Sequence, residues 1–396
     1  MELHSYTYSI PYLVFLGYLL LLMLIEFRQV SRQQSIRYVR MLTLIGFLFF
    51  FGLRGYVFSD WYGYEYFFQK LPTFWSGNFI EGIANTDREK GFYLYTAIVK
   101  SIYPSYFFWT FVSSLIDALL LDMIFRRYSK YYVFAFIVFF AFAAPVMEFN
   151  LMRNVKAILL FFASLKYLQE RRIFPYMLLN VLGILFHISA VVYIPLYFFL
   201  HRKLPERFWW AVFVVGNIIF LFHISYAEPL FSFLASCISD KVALMVERYF
   251  NNTEYLTLTL GYVERIVTFT IVMLCSRALI RQSKSNVIFI NIYMLYFFVF
   301  FFFSEVRPVQ ERMAYLFVLS YAVIYPNLLA IAQRKINRQL CTMLLLIFFA
   351  LKVAQNHSSI FSRYHNIVFE KQDVKEEREF WRVNFYNGKT VEEFME

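Results

Sequence analysis

Arg54 closes the apolar run "MLTLIGFLFFFG", and Asp60 follows among aromatics in "LRGYVFSDWYGYEYFF". Arg153 and Lys156 open another run, "NLMRNVKAILLFF", one helical turn apart and therefore on one face. His187 stands in "LFHISA". In "SEVRPVQERMAYLF", Pro308 breaks the helix, which leaves Arg307 in a loop beside Glu305 and starts a new helix with Glu311 and Arg312. Charge beside or inside an apolar span is costly, so each of these groups is a functional candidate. The chemistry that suits several arginines and a few acids or imidazoles is group transfer from a lipid-linked diphosphate. Arginine grips phosphate oxygens with two donors, holds its charge at any working pH and stabilises a departing diphosphate. A carboxylate or histidine then takes the proton of an attacking sugar hydroxyl. Arg54, Arg153, Arg307 and Arg312 are the diphosphate-binding candidates. Asp60, His187 and Glu311 are the candidate bases, and residue type alone does not choose among them.

Each has a plainer reading. An arginine at a span end is often a snorkelling anchor. A lone histidine is more often a hydrogen-bonded packing residue. Glu311 in a first helical turn complements the helix dipole, and Asp60 suits a turn or cap. Glu247 and Arg248 in "VERYF" read as the wet face of a surface helix. Asp117, in "SSLIDALLLDMIF", lies too deep in its run for the others and reads as an intramembrane pairing residue. These readings leave the gathering of cations, acids and a histidine on one side unexplained, since anchors belong on both faces.

The elements that must position these groups are membrane helices. The chain is 60% hydrophobic and only 16% charged, too apolar for a soluble surface, and runs long enough to span a bilayer recur along its whole length. The fold class is all-α, a polytopic integral membrane protein. Short basic loops at 28–40, 126–130, 169–172, 201–207, 276–284 and 333–338 belong on the cytoplasmic side. Longer mixed loops at about 54–90, 226–260 and 304–312 then face outward, with roughly twelve crossings and both termini outside. Phe174–Leu200, flanked by basic loops, is expected to cross twice as a tight helical pair turning near His187. Residues 1–355 form the transmembrane domain. The charged segment 356–396 reads as a small solvated tail on the outer side. The first apolar run lacks the basic flank of a removed signal peptide. Although the net charge is +11, no stretch has the form of a nucleic-acid module. Cys237, Cys275 and Cys341 have neither metal nor disulfide spacing, and no His/Cys cluster or aspartate-x-aspartate pair points to a metal or other cofactor.

Three stretches resemble the EpsG-like, Wzy-type polysaccharide polymerases. They are "LRGYVFSDWYGYEYFF", the central segment from Arg153 to Phe199, where an arginine begins a span and the next ends in Phe-His-x-Ser, and "QERMAYLF". Asn154 departs from the glutamine that often follows the central arginine. The resemblance implies a bacterial inner-membrane glycosyltransferase that joins undecaprenyl-diphosphate-linked repeat units on the periplasmic face, in O-antigen or capsule synthesis. It implies neither a nucleotide sugar nor a metal; the partners would be the lipid-linked glycans, the bilayer, a chain-length regulator and a flippase. The loop 226–260 would cover the site. An O-antigen ligase is the nearest alternative. A lipid-linked oligosaccharide flippase is less apt because transporters place polar groups at mid-depth, and a sugar O-acyltransferase leaves the cations unused.

Overall fold

The computed structural model describes residues 3–236, 259–370 and 372–384. These residues are helical, with no strand among them and two isolated backbone bridges. The chain divides into two units, Met1–Tyr197 with Gln333–Glu396, and Phe198–Ala332. The proposed covering segment, together with Glu247, Arg248 and Cys237, falls mostly or wholly outside the described residues.

The first unit contains α1 (Ile10–Ser31), α2 (Arg37–Phe47), α3 (Trp61–Lys70), α4 (Phe79–Asn85), α5 (Lys90–Ile102), α6 (Tyr106–Tyr128), α7 (Tyr132–Phe142), α8 (Ala144–Phe149), α9 (Met152–Gln169), α10 (Ile173–Phe186) and α11 (Tyr193–Leu196), and later Lys335–Asn356 and Val374–Asn384. Tyr6–Ser31, Tyr106–Tyr128 and Lys335–Asn356 are long and apolar enough to cross a membrane. In the second unit Val309–Tyr315 and Val318–Ile331, bent by 42°, make one more crossing if they count as a single span. Several other runs in the twelve-crossing pattern form shorter helices of 11 to 17 residues, such as α7, α10 and Asn286–Phe302. Such helices reach only about 16–26 Å. α7 is apolar all round because protein encloses it, not lipid: every residue from Tyr132 to Ala141 is buried. Its first amides, on Tyr132 and Val133, donate to the buried Glu26 carboxylate of α1 at 2.5 and 3.0 Å, which answers two of the helix's orphan N–H groups.

α2 does not stop at Phe47. It continues as one π-helical turn, Leu48–Gly52, and the last carbonyls of this wider turn find side-chain donors. Phe49 accepts from Asn366 at 2.9 Å, Phe50 from the Tyr364 hydroxyl at 2.7 Å, and Phe51 from Arg54 Nη1 at 2.5 Å. Two of those three donors come from the segment after Lys335–Asn356, which corrects the solvated-tail expectation. Ile367 N–H donates to Leu53 at 3.0 Å, and Gly55 N–H to His365 at 2.8 Å. The helix Val374–Asn384 buries Trp381 against Trp61 and Phe361 and pairs Arg378 with Glu65. Its amphipathic pattern covers a partner more than three hundred residues earlier in the chain.

The chain turns back after α10. His187 ends that helix, Ile188–Val192 follow as a 3₁₀ helix, and the Tyr176 hydroxyl near the start of α10 donates to the Tyr193 carbonyl at 2.7 Å. The return limb is much shorter than a full helix. In the second unit, Arg307 is the first helical residue of Arg307–Tyr315 rather than part of a loop. Proline has no N–H to satisfy and its φ suits a first turn, so Pro308 starts this helix instead of delaying it.

Candidate functional site

α9 begins at a break. The Leu151 N–H reaches back to the Val146 carbonyl at 3.0 Å, and Met152 and Arg153 follow as the first helical residues. Arg153 Nη1 lies 2.5 Å from Glu89 Oε2. The two side chains are 22% and 18% exposed, shielded enough to interact strongly yet reachable from solvent. Glu89 immediately precedes α5, in the run "TDREK", and the neighbouring Arg88 lies over the Phe67 ring. The Tyr64 hydroxyl shares the Arg153 guanidinium and donates to the Asn150 carbonyl at 3.0 Å. Asn150 Oδ1 accepts the amides of Ser59 and Asp60 at 3.3 and 3.2 Å. Asp60 is thereby held at the N-cap position of α3, exposed, without a side-chain cap bond of its own. Burial pushes the Glu89 carboxyl up, but the Arg153 guanidinium, a backbone hydrogen bond and His187 together outweigh it and hold it below the usual carboxylate range. Burial, and then Arg153, pull Arg88 down.

His187 joins this group electrostatically, since its imidazole acts on Glu89. Its Nδ1 accepts the Ser189 N–H at 3.2 Å and lies 2.8 Å from Ser189 Oγ, while that hydroxyl is 3.0 Å from the Asn154 amide. Ser189 thus holds the ring through Nδ1 rather than Nε2. Asn154, the departure in the central motif, is the residue that reaches Ser189.

Arg54 and Lys156 are built differently. Arg54 is 4% exposed. Besides the Phe51 carbonyl it contacts Ser114 Oγ at 3.1 Å and Met152 Sδ at 3.3 Å, and Phe149 lies beneath its guanidinium. Ser114 in turn lies 3.3 Å from the Glu148 carboxylate. Lys156 is 3% exposed, pairs with Asp117 and meets Ser113 Oγ at 2.8 Å. Below the exposed Arg153 group, therefore, lies a closed network of two cations and two acids.

The second unit holds the remaining candidates. Glu311 and Arg312 are exposed on Arg307–Tyr315. Glu305 Oε2 accepts the amides of Tyr226 and Ala227 at 3.0 and 2.7 Å, opening the helix Ala227–Ser236. Glu89, Arg88, Tyr64, Asn150 and Ser189 were missed from sequence. A run of charges such as "TDREK" reads as wet loop, and only its position before α5 hints at more.

The family profile for EpsG matches residues 37–367, most of the chain. The chain belongs to the EpsG family. Members are polysaccharide polymerase-like membrane proteins, in agreement with the motif resemblance and with the apolar helices. The match takes in Arg54, Asp60, Glu89, Arg153, His187 and Glu311. No curated protein and no solved structure matches this EpsG-family chain.

Proposed function

We propose that this EpsG-family protein is a multi-pass inner-membrane glycosyltransferase. It joins undecaprenyl-diphosphate-linked oligosaccharide repeat units on the periplasmic face. The observation that carries this reading is the half-exposed Arg153–Glu89 pair, with Arg88, Tyr64, Asp60 and His187 around it. An arginine matched to a carboxylate is also matched to a phosphate, since both offer paired oxygens to the guanidinium fork. An incoming donor diphosphate competes with Glu89 for Arg153, and Arg88 adds a second cation. Displaced from Arg153 and facing the negative diphosphate, Glu89 rises in pKa and becomes fit to take the acceptor hydroxyl proton. His187, held through Nδ1 by Ser189, steadies the leaving diphosphate or the sugar. Asp60 orients the acceptor from the N-cap of α3. Arg54 supports the site from below, through the end of α2 and Met152. Arg307, Glu311 and Arg312 are candidate substrate contacts of the second unit. The alternation of short basic and longer mixed loops along the sequence supports an outward position for the Arg153 group, where flipped substrate arrives.

The test is a profile of lipid-linked intermediates in a deletion strain. A polymerase predicts lipid carrying single repeats. Long polymer on undecaprenyl diphosphate would instead assign a ligase, and substrate trapped inside a flippase.

A further inference from the structure

Arg265 lies early in the helix Leu260–Gln282 of the second unit. Its guanidinium carbon is 3.7 Å from the centre of the Phe300 ring and 5.5 Å from that of Tyr296. Nη1 donates to the Gly261 carbonyl at 2.6 Å. Nε is buried and has no partner among the described residues. The neighbouring Glu264 acts on this charge but does not form an ion pair with it. Within this unit an ion pair joins Arg277 to Glu206, and none among the described residues reaches Arg265. Glu264, the adjacent acid, is turned to Thr268 and Tyr325, whose hydroxyls donate to it at 2.9 and 3.0 Å.

A cation partly drawn out of water, as Arg265 is, is normally paired. A ring face eases the cost of burial without cancelling the charge. With no acid in contact with it among the described residues, a buried Nε left without a partner and the Tyr296 ring beside it, the fitting partner is an anion with several oxygens. The Thr259-capped start of the helix adds its positive end.

We propose that Arg265, with Tyr296, forms a binding site for phosphate oxygens of a polyprenyl-diphosphate-linked substrate. The substrate class rests on the reading above; the anion site stands on its own geometry. Gly261 offers a variant that keeps the charge. A Cβ there meets Arg265 Nη1 at 2.9 Å, so Gly261→Ala displaces the guanidinium without deleting it.

The experiment titrates farnesyl diphosphate, with farnesol as control, onto the full chain in phosphatidylcholine nanodiscs. Arg265→Gln is expected to weaken diphosphate binding about tenfold and Gly261→Ala about threefold, with farnesol unaffected. Unchanged binding in both variants overturns the site. If Arg265→Gln does not insert, Gly261→Ala decides alone. Competition by phosphatidylglycerol nanodiscs as strong as by unlabelled farnesyl diphosphate would overturn the substrate assignment in favour of a bilayer headgroup. Loss of binding in Arg265→Gln, in a protein whose deletion strain does not accumulate single repeats, keeps the anion site and removes the polymerase reading.

Discussion

Arg153 and Lys156 stand one turn apart on α9, yet they do different things. Arg153 is 22% exposed and meets Glu89, an acid from a loop. Lys156 is 3% exposed and meets Asp117, an acid within the apolar span α6. In the first pair each partner still touches water, so a ligand can replace the carboxylate at modest cost. The second pair is closed, and opening it would leave a bare charge inside the protein. What a cation at the head of an apolar run can do is therefore set by whether its acid can leave.

The largest effect expected from breaking this contrast is on stability. Lys156→Ala strands Asp117 and should cost about 3–5 kcal/mol, seen as a lower unfolding temperature in detergent and reduced membrane abundance. Lys156→Met with Asp117→Leu should recover most of that loss. Arg153→Ala should leave abundance near normal; an equal collapse in both single variants would erase the distinction. Next comes Glu89→Gln, expected to cut polymer output about 10²-fold at normal abundance. Undiminished output would reduce Glu89 to a lock on Arg153. Asn154→Ala or Ser189→Ala should loosen the His187 ring, lowering output about tenfold and moving the pH profile. A fall in output without a profile change would point to packing alone.

The smallest effect is on pH stability. The Glu89 carboxyl is held below its unfolded pKa of about 4.3. Its contribution is therefore full above that value and is lost as pH falls through the folded pKa. Unfolding temperature should drop more steeply on acidification in the wild type than in Glu89→Gln. Parallel curves would show that the pair adds nothing to stability.

An all-helical membrane fold and the family were legible in apolar runs and short motifs, because lipid permits few alternatives to helices. The motifs also pointed to Arg153, Asp60 and His187 as groups worth following. Glu89 was not legible, since its meaning depends on α5 being folded against α9, and nothing in a charged loop announces that. Asp117 read as a pairing residue, but its partner Lys156 lies 39 residues later on another helix. The closing segment was misread for a similar reason. Tyr364, Asn366 and Trp381 look polar or amphipathic alone, whereas their work is to cap and cover α2 and α3 at the other end of the sequence.

The most direct test of the Arg153 account is the size distribution of lipid-linked glycan in cells whose only copy of the protein carries Arg153→Ala, at wild-type membrane abundance. Lipid carrying a single repeat is the predicted product, and glycan of wild-type length would contradict the account.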